Sequence, residues 1–131
     1  MPEHERTVEA FRQAASIGDA TSMATLVAPD AAFFSPAVHR PYEGHEAVMH
    51  VLGAAIRVLH PLQYTDAVVS AERAVLFFST EVGGKRVEGI DALRFDDEGR
   101  IRELVVMIRP LSALNAVVEA MAQALSAGSP G

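Results

Sequence analysis

The stretch Val87-Glu88-Gly89-Ile90-Asp91-Ala92-Leu93-Arg94-Phe95 alternates in the manner of a β-strand. Four of its five odd-numbered positions are apolar or glycine, and the exception is Asp91. This face is predicted to pack inward and to carry Asp91 with it. A buried carboxylate is costly unless it is hydrogen-bonded, paired or protonated. Asp91 is therefore the strongest candidate functional residue, with a catalytic, a binding and a purely structural role all open to it.

The residues around this stretch predict a sheet of consecutive strands. Strand-like patterns cover residues 62–70, 73–80, 85–95 and 101–109, and turn signals lie at Gly83-Gly84 and at Asp96-Asp97-Glu98-Gly99. The last strand contains Leu104-Val105-Val106-Met107-Ile108, which is apolar on both faces. Helices can cover one face, so the other should meet a second sheet or a second subunit.

Helical periodicity dominates the first half of the chain. A first helix is predicted over residues 3–17 and is closed by Gly18. Asp19 is expected to cap a second helix that ends at Pro29-Asp30. Residues 31–35 are predicted to form a short strand, and residues 37–44 a loop or an irregular edge strand.

The third helix has the clearest pattern in the chain. Its apolar residues recur at i, i+3, i+4, i+7, i+8 and i+11 from Val48 to Leu59, and Pro61 stops it. A final helix is predicted over residues 112–125. The chain is thus expected to form one domain over residues 1–125, followed by a flexible tail at 126–131.

Composition limits the classes of function. The chain has 131 residues, a formal net charge of −6, 6% aromatic residues and no cysteine. Nucleic acid and anionic membrane surfaces are poor partners for such a chain. Cysteine nucleophiles and thiolate metal sites are excluded. The polar N-terminal segment argues against a signal peptide, and a cytoplasmic location is expected.

The predicted order of elements is α-α-β-α-β-β-β-β-α. It indicates an α+β domain in which a curved antiparallel sheet wraps around helices. Such a sheet leaves a cone-shaped cavity between its concave face and the long third helix.

This order resembles the nuclear transport factor 2-like superfamily, which includes ketosteroid isomerases, SnoaL-like polyketide cyclases, limonene epoxide hydrolase and non-catalytic carriers. The similarity extends from about Val8 to Ile108 and implies the cystatin-like fold of that superfamily. It is carried by Gly18-Asp19, by Phe34-Ser35-Pro36 leading to Gly44, and by residues 89–95 followed by Gly99-Arg100-Ile101. The last of these pieces is most similar to bacterial ketosteroid isomerases.

The resemblance implies a role for Asp91 and leaves two other roles empty. Asp91 falls where those isomerases hold a protonated aspartic acid that donates a hydrogen bond to the substrate oxyanion. The partner tyrosine would fall at Phe11, which has no hydroxyl, and the general base at Ser35, which is no base at neutral pH without activation. Tyr42 and Tyr64 are the tyrosines available to replace the missing hydroxyl. The epoxide hydrolase pattern also fails, since Met107 stands where a second carboxylate would be wanted.

The resemblance further implies an apolar cavity for a small ligand bearing one carbonyl or hydroxyl, with no cofactor required. Besides Asp91 and Ser35, the residues implied to face it are Phe11, Val51, Leu52, Leu93, Leu104, Val106 and Ile108.

Two functions remain open at this point. The first is an isomerase-like or cyclase-like proton transfer with Asp91 as acid or oxyanion donor, and the second is a non-catalytic ligand carrier or dimerisation module. The five histidines show no H-x-x-x-H spacing, so no metal site is predicted. The two-sided apolar last strand predicts a homodimer formed through the sheet.

Overall fold

The computed structural model describes residues 2–127 of the protein. Within these residues the elements, in chain order, are α1 (Glu3–Ile17), α2 (Ala20–Met23), β1 (Val27–Phe34), β2 (Tyr42–Glu43), α3 (His45–Leu59), β3 (Gln63–Val69), β4 (Arg73–Val82), β5 (Lys85–Phe95), β6 (Ile101–Arg109) and α4 (Leu111–Ala127). The α+β class and the cystatin-like fold are confirmed. Helix α1 and strands β5 and β6 have the predicted bounds.

The six strands form one curved sheet in the order β2-β1-β6-β5-β4-β3. Strands β3 to β6 pair antiparallel, as predicted, but β1 runs parallel to β6, so the sheet is mixed. A parallel pair needs a long crossover connection, and the intervening α3 and β3–β5 supply it. Register shifts in β1, β3 and β5 introduce the irregularities that bend a sheet.

The connection between α1 and α2 follows the sequence prediction. Gly18 adopts a left-handed conformation with φ of 76°, and its amide donates to the carbonyls of Ala14 and Ala15. The Asp19 carboxylate then accepts from the amide of Ser22 at 3.1 Å and caps α2. The two helices are therefore joined tightly at the end of α1.

The predicted end of the second helix was wrong. Helix α2 stops at Met23, and Pro29 and Asp30 lie inside β1. Proline is tolerated there because the register between β1 and β6 shifts between Val27 and Ala32, which leaves this part of the strand outside the regular ladder.

The interior of the molecule lies between the sheet and the helices. Phe11, Val48, Leu76 and Leu104 are among the side chains that are almost fully buried there. Helix α4 packs its own buried residues Ala113 and Val117 against α3 and the sheet. It continues two residues past its predicted end, and the rest of the predicted tail, residues 128–131, lies outside the described residues. Among the helices of residues 2–127, none has the length and apolar character needed to cross a bilayer.

Candidate ligand-binding site

A cavity of about 240 Å³ is lined by residues from α1, the sheet, α3 and α4. Its wall is almost entirely apolar. Among the lining residues in the described part of the chain, the polar side chains are Ser35, Tyr42, Tyr64 and Asp91. A pocket of this kind suits an apolar molecule whose orientation is fixed by very few polar contacts.

Most residues that the resemblance implied for the cavity do lie on its wall. These are Phe11 from α1, Ser35 after β1, Val51 and Leu52 from α3, Asp91 from β5, and Val106 and Ile108 from β6.

Leu93 and Leu104 do not line the cavity. Each lies two residues from a lining residue on its own strand, and the two are paired across β5 and β6. Both are 2% exposed and belong to the closed hydrophobic core. Strand alternation identified the correct face for both residues, but it carries no information on where along that face the cavity ends.

Asp91 lies on the inner face of β5, with Leu76 opposite it on β4. Its side chain is 7% exposed. The Tyr64 hydroxyl, near the start of β3, donates to Asp91 Oδ2 at 2.9 Å. Tyr64 is held in turn by an edge-to-face contact with Phe78 at a centroid distance of 6.4 Å. The pair is thus assembled across three strands, and both members face the cavity.

The surroundings change the acidity of both groups. Burial raises the pKa of the Asp91 carboxyl to about 7, while the hydrogen bond from Tyr64 acts in the opposite direction. The pKa of Tyr64 is also raised, first by burial and then by the charge and hydrogen bond of Asp91. At neutral pH, Tyr64 therefore remains a donor, and Asp91 exists in both its neutral and its ionised form.

The second oxygen of the Asp91 carboxyl is open to the cavity. Within residues 2–127, every fully enclosed side-chain oxygen or nitrogen has a hydrogen-bond partner. Tyr64 donates to Oδ2, and Oδ1 has no such partner. Oδ1 is therefore not one of the fully enclosed atoms. A protonated Asp91 can therefore donate from Oδ1 to a carbonyl oxygen or oxyanion, and an ionised Asp91 can accept from a hydroxyl.

Phe11 and Ser35 supply no acid–base chemistry. Phe11 is a fully buried part of the wall. The Ser35 hydroxyl accepts from the amide of Ala37 at 3.0 Å, which is the arrangement of a turn residue. Among the cavity-lining residues that the structure describes, Asp91 is the one carboxyl, and no imidazole accompanies it.

The sequence pointed to Tyr64 only indirectly. A buried carboxyl needs a donor, and the chain has two tyrosines, but nothing local indicated which of them reaches β5. Tyr42 instead packs edge-to-face on Phe33 at the cavity wall. The contribution of α4 to the cavity wall was not predicted from the sequence.

His4 and His45 make their side-chain contacts with backbone carbonyl oxygens. His45 Nε2 lies 2.7 Å from the Ala24 carbonyl oxygen, and His4 Nε2 lies 2.8 Å from that of Ser70. His39 is exposed in the loop after β1. Across residues 2–127, no three histidine, aspartate or glutamate side chains are grouped so as to hold a metal ion.

The fold and the cavity define a small α+β pocket protein, and comparison with known proteins identifies its family. The model of the SnoaL-like domain matches residues 8–104. The chain therefore belongs to the SnoaL-like domain family, which confirms the resemblance seen in the sequence. No match is found among curated proteins.

Solved structures with the same fold include a steroid delta-isomerase from Pseudomonas aeruginosa, which is 35% identical, with a TM-score of 0.92 over 97% of this chain and 94% of that chain. An uncharacterized bacterial protein with a cystatin-like fold from Silicibacter pomeroyi is 25% identical, with a TM-score of 0.85 over 89% of this chain and 83% of the other. A de novo designed protein with a curved β-sheet also matches, at 14% identity and a TM-score of 0.71, over 89% of this chain and 95% of its own. Because a designed protein shares the fold, function has to be argued from the cavity.

Proposed function

We propose that the protein binds a small, mostly apolar molecule through one carbonyl or hydroxyl oxygen, and that Asp91 is the group that contacts this oxygen. The observation that carries the proposal is a buried carboxyl with one open oxygen on the wall of an otherwise apolar cavity. The cost of burying Asp91 is offset in part by Tyr64, and a ligand oxygen at Oδ1 would complete its hydrogen bonding.

In the enzymatic form of this function, Asp91 assists proton transfer on an enolisable ketone. Protonated Asp91 donates from Oδ1 to the carbonyl oxygen and stabilises the negative charge that develops there as a water molecule in the cavity takes the α-proton, and the hydronium ion so formed returns a proton to carbon to complete the isomerisation. A pKa near 7 suits this role, because acid–base catalysis works best when the pKa lies close to the working pH. The reaction class is isomerisation, cyclisation or dehydration without a cofactor.

The similarity to a steroid delta-isomerase from Pseudomonas aeruginosa, at 35% identity, supports a mostly apolar small molecule as the ligand of this cavity. The volume argues for a molecule smaller than a steroid. The cavity volume of about 240 Å³ lies below the roughly 300–1,000 Å³ of most ligand pockets, which favours a compact ligand. A monocyclic ketone or a phenol is such a ligand.

The alternative is a carrier that binds such a molecule without turnover. It is favoured by the absence of a basic side chain beside Asp91 among the described lining residues. The loss of a positioned general base typically costs 10²–10⁴ in rate. We therefore expect binding to be the robust property and turnover of ketones to be slow.

The test combines binding and turnover in three proteins: the wild type, Asp91→Asn, and Asp97→Asn as a control for losing a carboxylate in an exposed turn. A para-substituted phenol serves as the binding probe, and a β,γ-unsaturated cyclohexenone as the substrate, followed by the absorbance of its conjugated product. Asp91→Asn should weaken phenol binding by about tenfold, because a neutral amide forms weaker hydrogen bonds than a carboxyl that can be ionised. Asp97→Asn should behave as the wild type.

The outcomes separate the two forms of the function. Turnover that depends on Asp91 establishes the enzyme, and binding without turnover establishes the carrier. If the wild type binds no phenol and no ketone, both forms fail.

We further propose that the protein forms a homodimer through the outer face of the sheet. Two rows of cross-strand neighbours make this face apolar, one of Phe77, Ile90 and Met107 and one of Val75, Ala92 and Val105. Phe77 is 40% exposed and Met107 is 56% exposed.

Charged pairs border this apolar patch on both sides. Arg109 contacts Glu88 at 2.6 Å beyond one row, and Arg94 lies 3.8 Å from Glu103 beyond the other. An apolar centre with a neutral, ion-paired rim resembles the anatomy of a subunit interface. A second copy of the same face, related by a two-fold axis, is the occupant that such a self-matching surface fits.

We place this dimer in the cytoplasm, and recovery of the native protein outside the cell would contradict that location.

A further inference from the structure

The cavity is bordered on one side by helix α4, which contributes Leu114, Val117, Val118, Met121, Ala122 and Leu125 to its wall. Four of these, Leu114, Val118, Met121 and Leu125, follow one another at i, i+4, i+7 and i+11 and so form a single stripe along the helix. The stripe offers no side-chain hydrogen-bond donor or acceptor of ordinary strength.

The polar and apolar parts of the wall come from different elements. Asp91 and Tyr64 belong to the sheet, while the α4 side is hydrocarbon and thioether throughout. A ligand whose oxygen is held at Asp91 must therefore turn only apolar atoms towards α4. Ser35 and Tyr42, the other polar side chains of the described wall, also lie outside α4.

Helix α4 is anchored through its first half, and its second half continues from there along the cavity. Ala113 is fully buried and Val117 is 5% exposed, which anchors the helix on α3 and the sheet. The helix begins directly after β6, and its first turn is formed by the bond from the Leu114 amide to the Pro110 carbonyl at 2.9 Å. The opposite face carries exposed polar residues such as Asn115, Glu119 and Gln123.

We infer that α4 sets the length of the ligand: a molecule held by its oxygen at Asp91 extends its apolar end against Met121 and its neighbours. The protein then selects compact ketones or phenols with short alkyl substituents over longer ones. This inference rests on the proposed binding at Asp91 and adds the property that decides between ligands of the same chemical class.

The test uses a series of para-alkylphenols from methyl to octyl and measures the dissociation constant of each by calorimetry. Every additional methylene that becomes buried should tighten binding about fourfold. Once the chain reaches α4, the gain should stop, and longer members should bind no better or more weakly. We call the alkyl chain length at which the gain stops the break, and this length is the quantity to compare between variants.

Three variants move or preserve the break. Met121→Ala removes three side-chain heavy atoms from the wall and should shift the break to chains roughly two or three methylenes longer. Ala122→Leu adds bulk at an exposed lining position, where the fold tolerates it, and should shift the break to shorter chains. Gln123→Ala changes the solvent face of the same helix and should leave the break in place.

The two proposals fail in different ways. If no alkylphenol of any length binds the wild type, binding at Asp91 itself is wrong. If alkylphenols bind but show no break, or if the break is the same in Met121→Ala and Ala122→Leu as in the wild type, the role of α4 is wrong while binding at Asp91 stands.

Discussion

The buried carboxyl of Asp91 makes the stability of the protein depend on pH. Its pKa rises from the usual 3.8 to about 7 in the folded state, so the folded protein holds a proton between these values that the unfolded chain has released. The free energy of unfolding should therefore fall as pH rises from about 4 to 7, and Asp91 should contribute no further change above that range. The total effect of this one group is roughly 4 kcal/mol.

Denaturant unfolding at closely spaced pH values, in the wild type and in Asp91→Asn, measures this contribution. The variant cannot ionise at this position, so the difference between the two curves isolates Asp91 from the other carboxyls. We expect the variant to gain stability relative to the wild type as pH rises from 4 to 7. A difference that stays constant over this range would mean that Asp91 is ionised in the folded protein throughout.

Tyr64 acts on Asp91 through one hydrogen bond, and its removal gives a second prediction. The bond favours the ionised carboxyl, so Tyr64→Phe should raise the pKa of Asp91 further above its usual range. Carbon-detected NMR of the carboxyl resonance follows the titration directly. Tyr42→Phe is the matched control, because Tyr42 also lines the cavity but its aromatic contact is with Phe33. An unchanged titration in Tyr64→Phe, or one shifted to lower pH, would contradict the assigned contact.

Strand β5 carries Asp91 and also holds Tyr64 in place through its neighbours. Gly89 lies two residues before Asp91, and a Cβ atom built there would lie 2.5 Å from Phe78 Cζ and 2.6 Å from the carbonyl oxygen of Met107. Phe78 is the ring on which Tyr64 packs. The absence of a side chain at Gly89 therefore helps to form the site as well as the strand.

The same substitution at two glycines should have opposite effects. Gly89→Ala should lower the free energy of unfolding by about 1–3 kcal/mol, because backbone and a packed ring would have to shift. Gly53→Ala, in the middle of α3, meets only ordinary contacts at 3.8 Å and should stabilise the helix by about 0.5–1 kcal/mol. Chemical denaturation of both variants checks the pair. Equal effects of the same sign would show that the crowding around Gly89 is not the controlling factor.

Elements with a strong internal period were predictable, while features set by distant contacts were not. Helix α1 and strands β5 and β6 were placed correctly because their own residues show the pattern of the element: helical spacing in α1 and strand alternation in β5 and β6. The start of β1 was missed because Pro29 signals a helix end locally, whereas the pairing with β6 that makes Val27 a strand residue spans most of the chain. The bond between Tyr64 and Asp91 and the exclusion of Leu93 from the cavity are non-local in the same sense.

The two faces of the assembled sheet have different roles. The inner face, together with the helices, buries the core and forms the cavity around Asp91. The outer face leaves large apolar side chains such as Met107 and Phe77 in contact with solvent in a single chain. An exposed apolar patch of this kind marks an interaction surface. The arrangement supports a dimer in which the two cavities face away from the shared sheet surface.

The proposed dimer is tested by placing a charge in the centre of this patch. Met107→Lys changes a side chain that is 56% exposed, so the fold of the single chain should be unaffected. A buried, unpaired lysine at a two-fold interface meets its own copy and lacks a counter-charge, so association should weaken by several orders of magnitude. Light scattering at micromolar concentration should give twice the chain mass of 14.0 kDa for the wild type and a single chain mass for the variant.

Ile17→Lys provides the control, because Ile17 is also an exposed apolar residue, at 66%, and lies at the end of α1, away from the sheet face. It should remain dimeric, and circular dichroism should be the same for all three proteins. A wild type that is monomeric at micromolar concentration would rule out the dimer. A Met107→Lys variant that stays dimeric would place the interface on another surface, and the apolar rows of β4, β5 and β6 would then need a different partner.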